Sequence, residues 1–527
     1  VNIIFEKAKN GNTTCKIEES NKAKYLYSKY SPEKVSIKKN FNSNSLILFG
    51  LGLGYELKEI LDTYSGEIYV IECEKSFVEE TMRNKATDQI LDKDNVHLYI
   101  GEQYKDICKI ENYCIFYNDK VTDLYKEFYY EVFNFIQNKN RDIKSKKIMV
   151  FDHVTIARDC MEAFEKLGYK VIRLKNIREY KVEEIFNFIR EYLPDYVFTI
   201  NFISALSNVC SSIGVKYISW TVDIPDYSFY KEEVFNSVNY LFHFDEGIIS
   251  EIKNLGVKNA YYLPQAANTN RLDKVKADDN AFLKYSCDAS FVGNTIMKNE
   301  FNSIANDLKD EELNTIDAIF NLQKKCLNQN KIDENLNDDL VEKLKKFFSK
   351  EKMPLISDRR FMYFILSRKF DELQRISMAK VISEKFDFKV YGDSLWGRVF
   401  HDNKVYIGNA EHYLEMPLVF KFSKVNINLI RSSFESGLPM RVFDIMGSKG
   451  FMASSYKKDL EKFFVDGKDM VVYRDFKDLT DIIKYYICHE DERVTIAESG
   501  YEKVKKYHNY EVRLKDMMNI VEKNSYK

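Results

Sequence analysis

Two stretches of this chain set chemistry-bearing residues at meaningful spacings. "FESGLPMRVFDIMGSKGFMASS" (434–455) places a Gly437–Pro439 turn before a short apolar segment that carries Arg441 and Asp444. Residues three apart share a helix face, and proline is tolerated in a first helical turn, so a helix with Pro439 in that turn is predicted. A helix N-terminus beside an arginine suits a phosphate, and Asp444, one turn deeper, suits ribose hydroxyls. An intrahelical Arg/Asp pair fits the same spacing. "LILFGLGLGYELKEI" (46–60) runs from a strand through Gly50, Gly52 and Gly54 into a helix, and Glu72 closes the next strand. Such a loop lets the backbone approach a nucleotide while the acid accepts from ribose. The G-x-G-x-G spacing lacks the later glycine of the dinucleotide fingerprint, so an adenosine-type ligand such as S-adenosylmethionine fits better than NAD. A ligand-free strand-to-helix turn fits equally.

These residues need a scaffold. Apolar runs rich in β-branched and aromatic residues ("LILFG", "EIYVIE", "NVHLYI", "YCIFY", "KIMVFD", "KVIRL", "YVFTIN", "KYISW", "YLFHF", "NAYYLP") alternate with amphipathic segments. That is the pattern of parallel α/β sheets. Strand signals return at "CDASFVGN", "FKVYG", "KVYIG", "KVNINL" and "GFMASS", while 296 to about 382 reads as a helical insertion. Polar runs near 145 and at 273–286 divide the chain into expected domains 1–145, 146–280 and 281–527.

Open α/β sheets bind ligands at the carboxyl ends of strands. His153, after "IMVF", and Asp223, after "ISWTV", stand there and are candidate bases. His243 lies inside an apolar strand and reads as core. Asp92 and Asp94 precede a strand where a metal pair should end one, and read as a solvated turn.

With 79 basic and 81 acidic side chains among 527 residues, the chain has no global field for nucleic acid or an anionic membrane. Nine scattered cysteines without a C-x-x-C pair speak for reduced thiols and against a zinc site. The opening "VNIIFEKAKNG" lacks a signal pattern, and no apolar run reaches the roughly 20 residues of a spanning helix. A soluble, cytoplasmic protein without membrane insertion is expected.

The 434–455 stretch resembles the G-x-P-x-R-V-F-[ED]-x-x-x-x-x-G-F signature of CgeB-type glycosyltransferases. The resemblance extends through "CDASFVGN" (287–294), "KVYGDSLWG" (389–397), "KFSKVNINL" (421–429), "FFVDGKDMVVY" (463–473) and "YHNYEVRLKDMM" (507–518), and covers about 146–520. It implies an α/β fold of GT-B type: two Rossmann-like domains facing a cleft, the second holding a nucleotide-sugar, a UDP-sugar first among them, without a metal. Gly293 and Asn294 would then form the first glycine turn. Tyr391, Gly392 and Asp393 would lie near the base, with Trp396 able to stack on it. Glu435, Gly437 and Pro439 would lead into Arg441 at the diphosphate and Asp444 at the ribose. Related retaining enzymes carry two glutamates separated by seven residues; here Glu435 and Asp444 have eight between them, which leaves the stereochemistry open.

Residues 40–120 resemble the N-terminal domain of Maf-type flagellin glycosyltransferases, which implies an accessory Rossmann-like domain. Together the two resemblances imply sugar transfer to a cell-surface protein such as flagellin or a spore-coat component. A methyltransferase built on the 50–54 loop and a non-catalytic carbohydrate-binding or assembly protein are the alternatives.

Overall fold

The computed structural model describes residues 2–19, 22–37, 41, 43–110, 112–139, 146–326, 329–401 and 404–523. The polar run 140–145, where the first domain boundary is expected, lies outside them. The chain forms two compact units, one of Val1–Lys147, Tyr180–Asp195 and Asn208–Lys216, the other of Ile148–Glu179, Tyr196–Ser207 and Tyr217–Lys527.

The first unit opens with an antiparallel sheet of β1 (Asn2–Lys7), β2 (Thr13–Glu19) and β3 (Lys22–Tyr25). Its sequence mixes charged with apolar residues and gave no strand signal. A parallel sheet follows: β4 (Ser45–Phe49), β5 (Glu67–Glu72), β6 (Val96–Ile100) and β7 (Tyr113–Tyr117), in the order β6-β5-β4-β7. Central β4 is buried along its whole length, because helices cover both faces of a parallel sheet. That is why "SLILF" is a continuous apolar run.

The second unit holds two six-stranded sheets. The first comprises β8 (Lys147–Phe151), β9 (Lys170–Leu174), β10 (Tyr196–Ile200), β11 (Lys216–Thr221), β12 (Asn239–His243) and β13 (Ala260–Tyr262), ordered β13-β12-β11-β10-β8-β9. The other comprises β14 (Cys287–Val292), β15 (Phe388–Tyr391), β16 (Tyr406–Gly408), β17 (Ser423–Asn428), β18 (Met452–Ser455) and β19 (Val471–Tyr473), all parallel, ordered β16-β15-β14-β17-β18-β19. In this sheet the chain winds outward in both directions from β14. The crevice between β14 and β17 is therefore a topological switch point, where open α/β sheets take their ligands.

The expected α/β class is the class the chain forms, with two six-stranded sheets in the second unit and a four-stranded parallel sheet before them in sequence. Between β14 and β15 the segment is helical and ends in the 26-residue helix Asp358–Ser383. The closing helix Tyr510–Lys523 returns to the earlier sheet, where Tyr510, Leu514, Met517 and Met518 join Ile148, Val150, Phe198 and Trp220 in one core. No helix among the described residues is long and apolar enough to cross a membrane.

Candidate active site

Two glycine turns build the floor of the site. β14 runs into Gly293 and Asn294, and β15 into Gly392. A Cβ on Gly392 would stand 2.3 Å from the Gly293 carbonyl oxygen, so the turns approach only because position 392 has no side chain. Asp393 and Trp396 brace this contact. The Asp393 N–H donates to Asn294 Oδ1 at 3.1 Å, its carboxylate accepts from the Thr295 hydroxyl at 3.0 Å, and Trp396 Nε1 donates to the Gly293 carbonyl at 2.8 Å. Trp396 is wholly buried between Phe291 and Phe400, which leaves it no face for a nucleotide base. Gly293, Asn294, Tyr391 and Gly392 line a cleft of about 650 Å³; Asp393 and Trp396 support it from behind.

Three guanidinium groups converge on this cleft: Arg375 from helix Asp358–Ser383, Arg431 just beyond β17, and Arg441 from helix Met440–Gly447. Arg375 donates to the Asn294 carbonyl at 2.6 Å and lies 5.5 Å over the Phe291 ring. Arg431 donates to the Ile224 carbonyl at 3.1 Å. Arg441 reaches the Met416 sulfur and lies 5.2 Å over Phe420. Burial lowers the pKa of Arg375, and the neighbouring Arg431 charge lowers it further, against Asp371; burial lowers Arg441 as well. A guanidinium carries five N–H donors in a fork that matches phosphate oxygens. Here those donors meet carbonyls, rings and a sulfur, while Asp444 stands 3.8 Å from Arg441 and Asp371 faces Arg375 and Arg431, so three cations share the space with two buried carboxyl groups.

Asp444 faces the same space. Burial raises its pKa, opposed by His412, Arg441 and Arg271. His412 also lines the cleft; its Nε2 is buried without a partner, and burial lowers its pKa. Sequence reasoning missed Arg375, Arg431 and His412. Arg431 follows a strand end, the signal that singled out Asp223, and could have been found that way. Arg375 sits in mid-helix and His412 in an irregular loop, where no motif marks them.

The loop before the helix departs from its expected role. Asp245 Oδ2 accepts from the N–H groups of Glu435 (2.8 Å), Ser436 (3.1 Å) and Gly437 (2.9 Å). The Glu435 carboxylate pairs with Arg360 at 2.7 Å and does not line the cleft. A Cβ on Gly437 would stand 2.5 Å from the Phe244 carbonyl oxygen, so that glycine serves close packing. Pro439 caps the helix from outside, its carbonyl accepting from Val442 N–H at 3.1 Å, and the helix begins at Met440, one residue later than predicted. Pro439, Arg441 and Asp444 line the cleft.

The carboxyl edge of the earlier sheet supplies the opposite wall. Asp223, beyond β11, is exposed to the cleft and held by Asn201, which donates to its Oδ2 at 2.7 Å and accepts from Val222 N–H at 2.9 Å. His153, beyond β8, contacts the Thr155 hydroxyl through Nδ1 at 2.9 Å. Burial lowers its pKa, opposed by Asp223, and its neighbours Val154 and Thr155 line the cleft in its place. His243 is buried in β12, accepts from Asp245 N–H at 2.9 Å, and is pushed by burial to about 4.

In the first unit, Gly50, Gly52 and Gly54 have φ of +83°, +57° and +77°, the left-handed region glycine permits. Buried Glu72 accepts from Gly52 N–H (3.0 Å), Glu74 N–H (3.0 Å) and the Tyr129 hydroxyl (3.3 Å). Tyr27 closes over the loop: a Cβ on Gly52 would stand 2.1 Å from its hydroxyl oxygen, which accepts from Leu53 N–H at 3.3 Å and donates to Glu56 at 3.1 Å. Asp92 and Asp94 lie exposed in the turn before β6. Among the described residues no three His, Cys, Asp or Glu side chains gather as a metal would require.

Solved structures resemble this chain at low similarity. The sucrose-phosphate synthase of Thermosynechococcus elongatus is 10% identical over 72% of this chain and 99% of its own, with a TM-score of 0.40. Anabaena HepE in complex with UDP-glucose is 10% identical over 72% of this chain and 100% of its own, at 0.41. An α1,3-fucosyltransferase with GDP is 12% identical over 72% and 89%, at 0.32. No protein of curated function matches the sequence. Residues 370–519, which carry Arg375, Arg431, Arg441 and Asp444, match a family described as glycosyl transferase-like.

Proposed function

We propose that the chain is a glycosyltransferase that takes a sugar from a nucleotide-sugar, a UDP-sugar first among the candidates. The observation that carries this reading is the convergence of Arg375, Arg431 and Arg441 on the switch point of the β14–β19 sheet, facing Asp223 across the cleft. Breaking the bond between sugar and nucleotide leaves a diphosphate whose growing negative charge must be met by donors already in place. The arginines and the N-terminus of helix Met440–Gly447 supply them, and we assign that task to them and not to a metal ion. Asp444 accepts from the ribose. Asp223, fixed by Asn201, takes the proton of the attacking acceptor hydroxyl.

The acceptor in this reading is a cell-surface protein such as flagellin or a spore-coat component. The resemblance of residues 40–120 to Maf-type enzymes and of 146–520 to CgeB-type enzymes supports that choice. A cytoplasmic setting accords with nine scattered cysteines. The loop at Gly50–Gly54 has a structural role, since Glu72 and Tyr27 already occupy its backbone and its open side.

Calorimetric titration of the whole protein with UDP, GDP, UDP-sugars and S-adenosylmethionine tests the reading. A nucleoside diphosphate should bind, and Arg431→Gln should weaken it about tenfold or more. Binding of S-adenosylmethionine alone would move the activity to the first unit, and no binding at all would leave the cleft without its ligand. Intact-mass analysis of acceptor proteins incubated with bound donors identifies the acceptor.

A further inference from the structure

The turn at 435–437 has the form of an anion nest. Its three successive N–H groups converge on one point, a concavity that ordinarily receives a phosphate or another anion. Here the anion comes from the protein itself. Asp245 stands just past β12, at the carboxyl edge of the earlier sheet, and its Oδ2 takes all three N–H groups at 2.8, 3.1 and 2.9 Å. Its Oδ1 accepts from Gly247 N–H at 2.9 Å, capping the helix Glu246–Asn254. Asp245 is wholly buried and does not line the cleft, so it has no path to a ligand. Two residues after the nest, Pro439 opens the helix that carries Arg441 and Asp444.

We infer that Asp245 is a positioning residue of the donor site: held on one sheet, it fixes the loop that aims the helix Met440–Gly447 and Arg441 from the other. The inference rests on the donor reading above. A carboxylate can do this because it is acceptor-only, with room for four hydrogen bonds. Asparagine cannot. Its single oxygen loses the charge, and its amide hydrogens would face backbone N–H groups. Other links join the two halves of this unit without touching the nest, among them the Tyr501 hydroxyl, which donates to Asp273 at 2.7 Å.

The test compares the wild type, Asp245→Asn and Tyr501→Phe for UDP and GDP affinity by calorimetry, donor KM and kcat for donor hydrolysis, and melting temperature. Asp245→Asn should weaken nucleotide binding and raise KM about tenfold, in excess of any change in kcat, because the cleft keeps its chemistry but loses its aim. Tyr501→Phe should leave affinity unchanged even where its melting temperature falls. Equal losses in both variants would reduce Asp245 to a tie between the sheets. Unchanged or tighter binding by Asp245→Asn, the outcome if the nest were a phosphate site that Asp245 blocks, would overturn the inference while leaving the donor reading intact. A wild type that binds neither nucleotide would overturn both. Hydrogen exchange on the wild-type protein gives a check that needs no variant: the amides of Glu435, Ser436 and Gly437 should be protected before nucleotide is added, and exchange at the rate of open turn amides would refute the fixed loop.

Discussion

The Arg441 guanidinium stands 3.8 Å from the Asp444 carboxylate on one face of a helix, yet its hydrogen bond goes to the Met416 sulfur. That separation is an ion pair without a hydrogen bond, so both groups keep capacity for a ligand in the cleft they share. Arg441→Ala should cost about 1.5–3 kcal/mol of diphosphate binding, a ten- to hundredfold loss. Asp444→Asn should lose less, and only with nucleotides that carry ribose hydroxyls. Calorimetry with a nucleotide and its dideoxy counterpart measures both effects, and unchanged affinity in the two variants would return them to a plain helix pair.

Asp223→Asn should separate chemistry from binding. The residue faces the cleft from the sheet opposite the arginines, so its loss should slow transfer about a hundred- to ten-thousandfold while nucleotide affinity holds. His153→Gln, one step removed from the cleft, should have the smaller effect. Single-turnover rates with saturating donor decide between the two. A fast Asp223→Asn enzyme would exclude that carboxylate as the base.

Trp396→Phe tests a buried anchor against a stacking platform. Removing the indole leaves the Gly293 carbonyl without its 2.8 Å donor and opens a small void, which should lower stability by about 2 kcal/mol. The preference between UDP and GDP should not change. Lost affinity at an unchanged melting temperature would instead place the ring against the base.

Glu72 makes the first unit sensitive to pH. Burial raises its carboxyl to about 7, so the native state holds the proton more tightly than the unfolded chain does. Stability therefore falls as pH rises from about 4.5 to about 7, by about 3 kcal/mol at most. Hydrogen exchange at the β4 and β5 amides, compared between wild type and Glu72→Gln across that range, reads the effect in the right unit. The wild type should lose protection relative to the variant as pH rises; a constant difference would mean that Glu72 does not titrate there.

The parallel strands and their order of appearance were legible because a strand buried on both faces must be apolar throughout, as in "LILFG" and "YLFHF", and because the helices between them are amphipathic. The sequence also marked Arg441, Asp444 and Asp223, since a helix N-terminus and a strand's carboxyl end are local features. It could not show β1 to β3, which mix charged with apolar residues, and it left β19 unmarked. Which way each side chain is spent is a tertiary matter. Glu435, Gly437, Asp393 and Trp396 have the right types at the right spacing, but Asp245, Phe244, Thr295 and the Gly293 carbonyl engage them from segments that lie up to about 190 residues away. Arg375 and Arg431 enter the cleft because a 26-residue helix and a strand end meet at the switch point. Local pattern fixes what an element is. Only packing brings charges from distant elements into one desolvated space, and there their energies depend on each other.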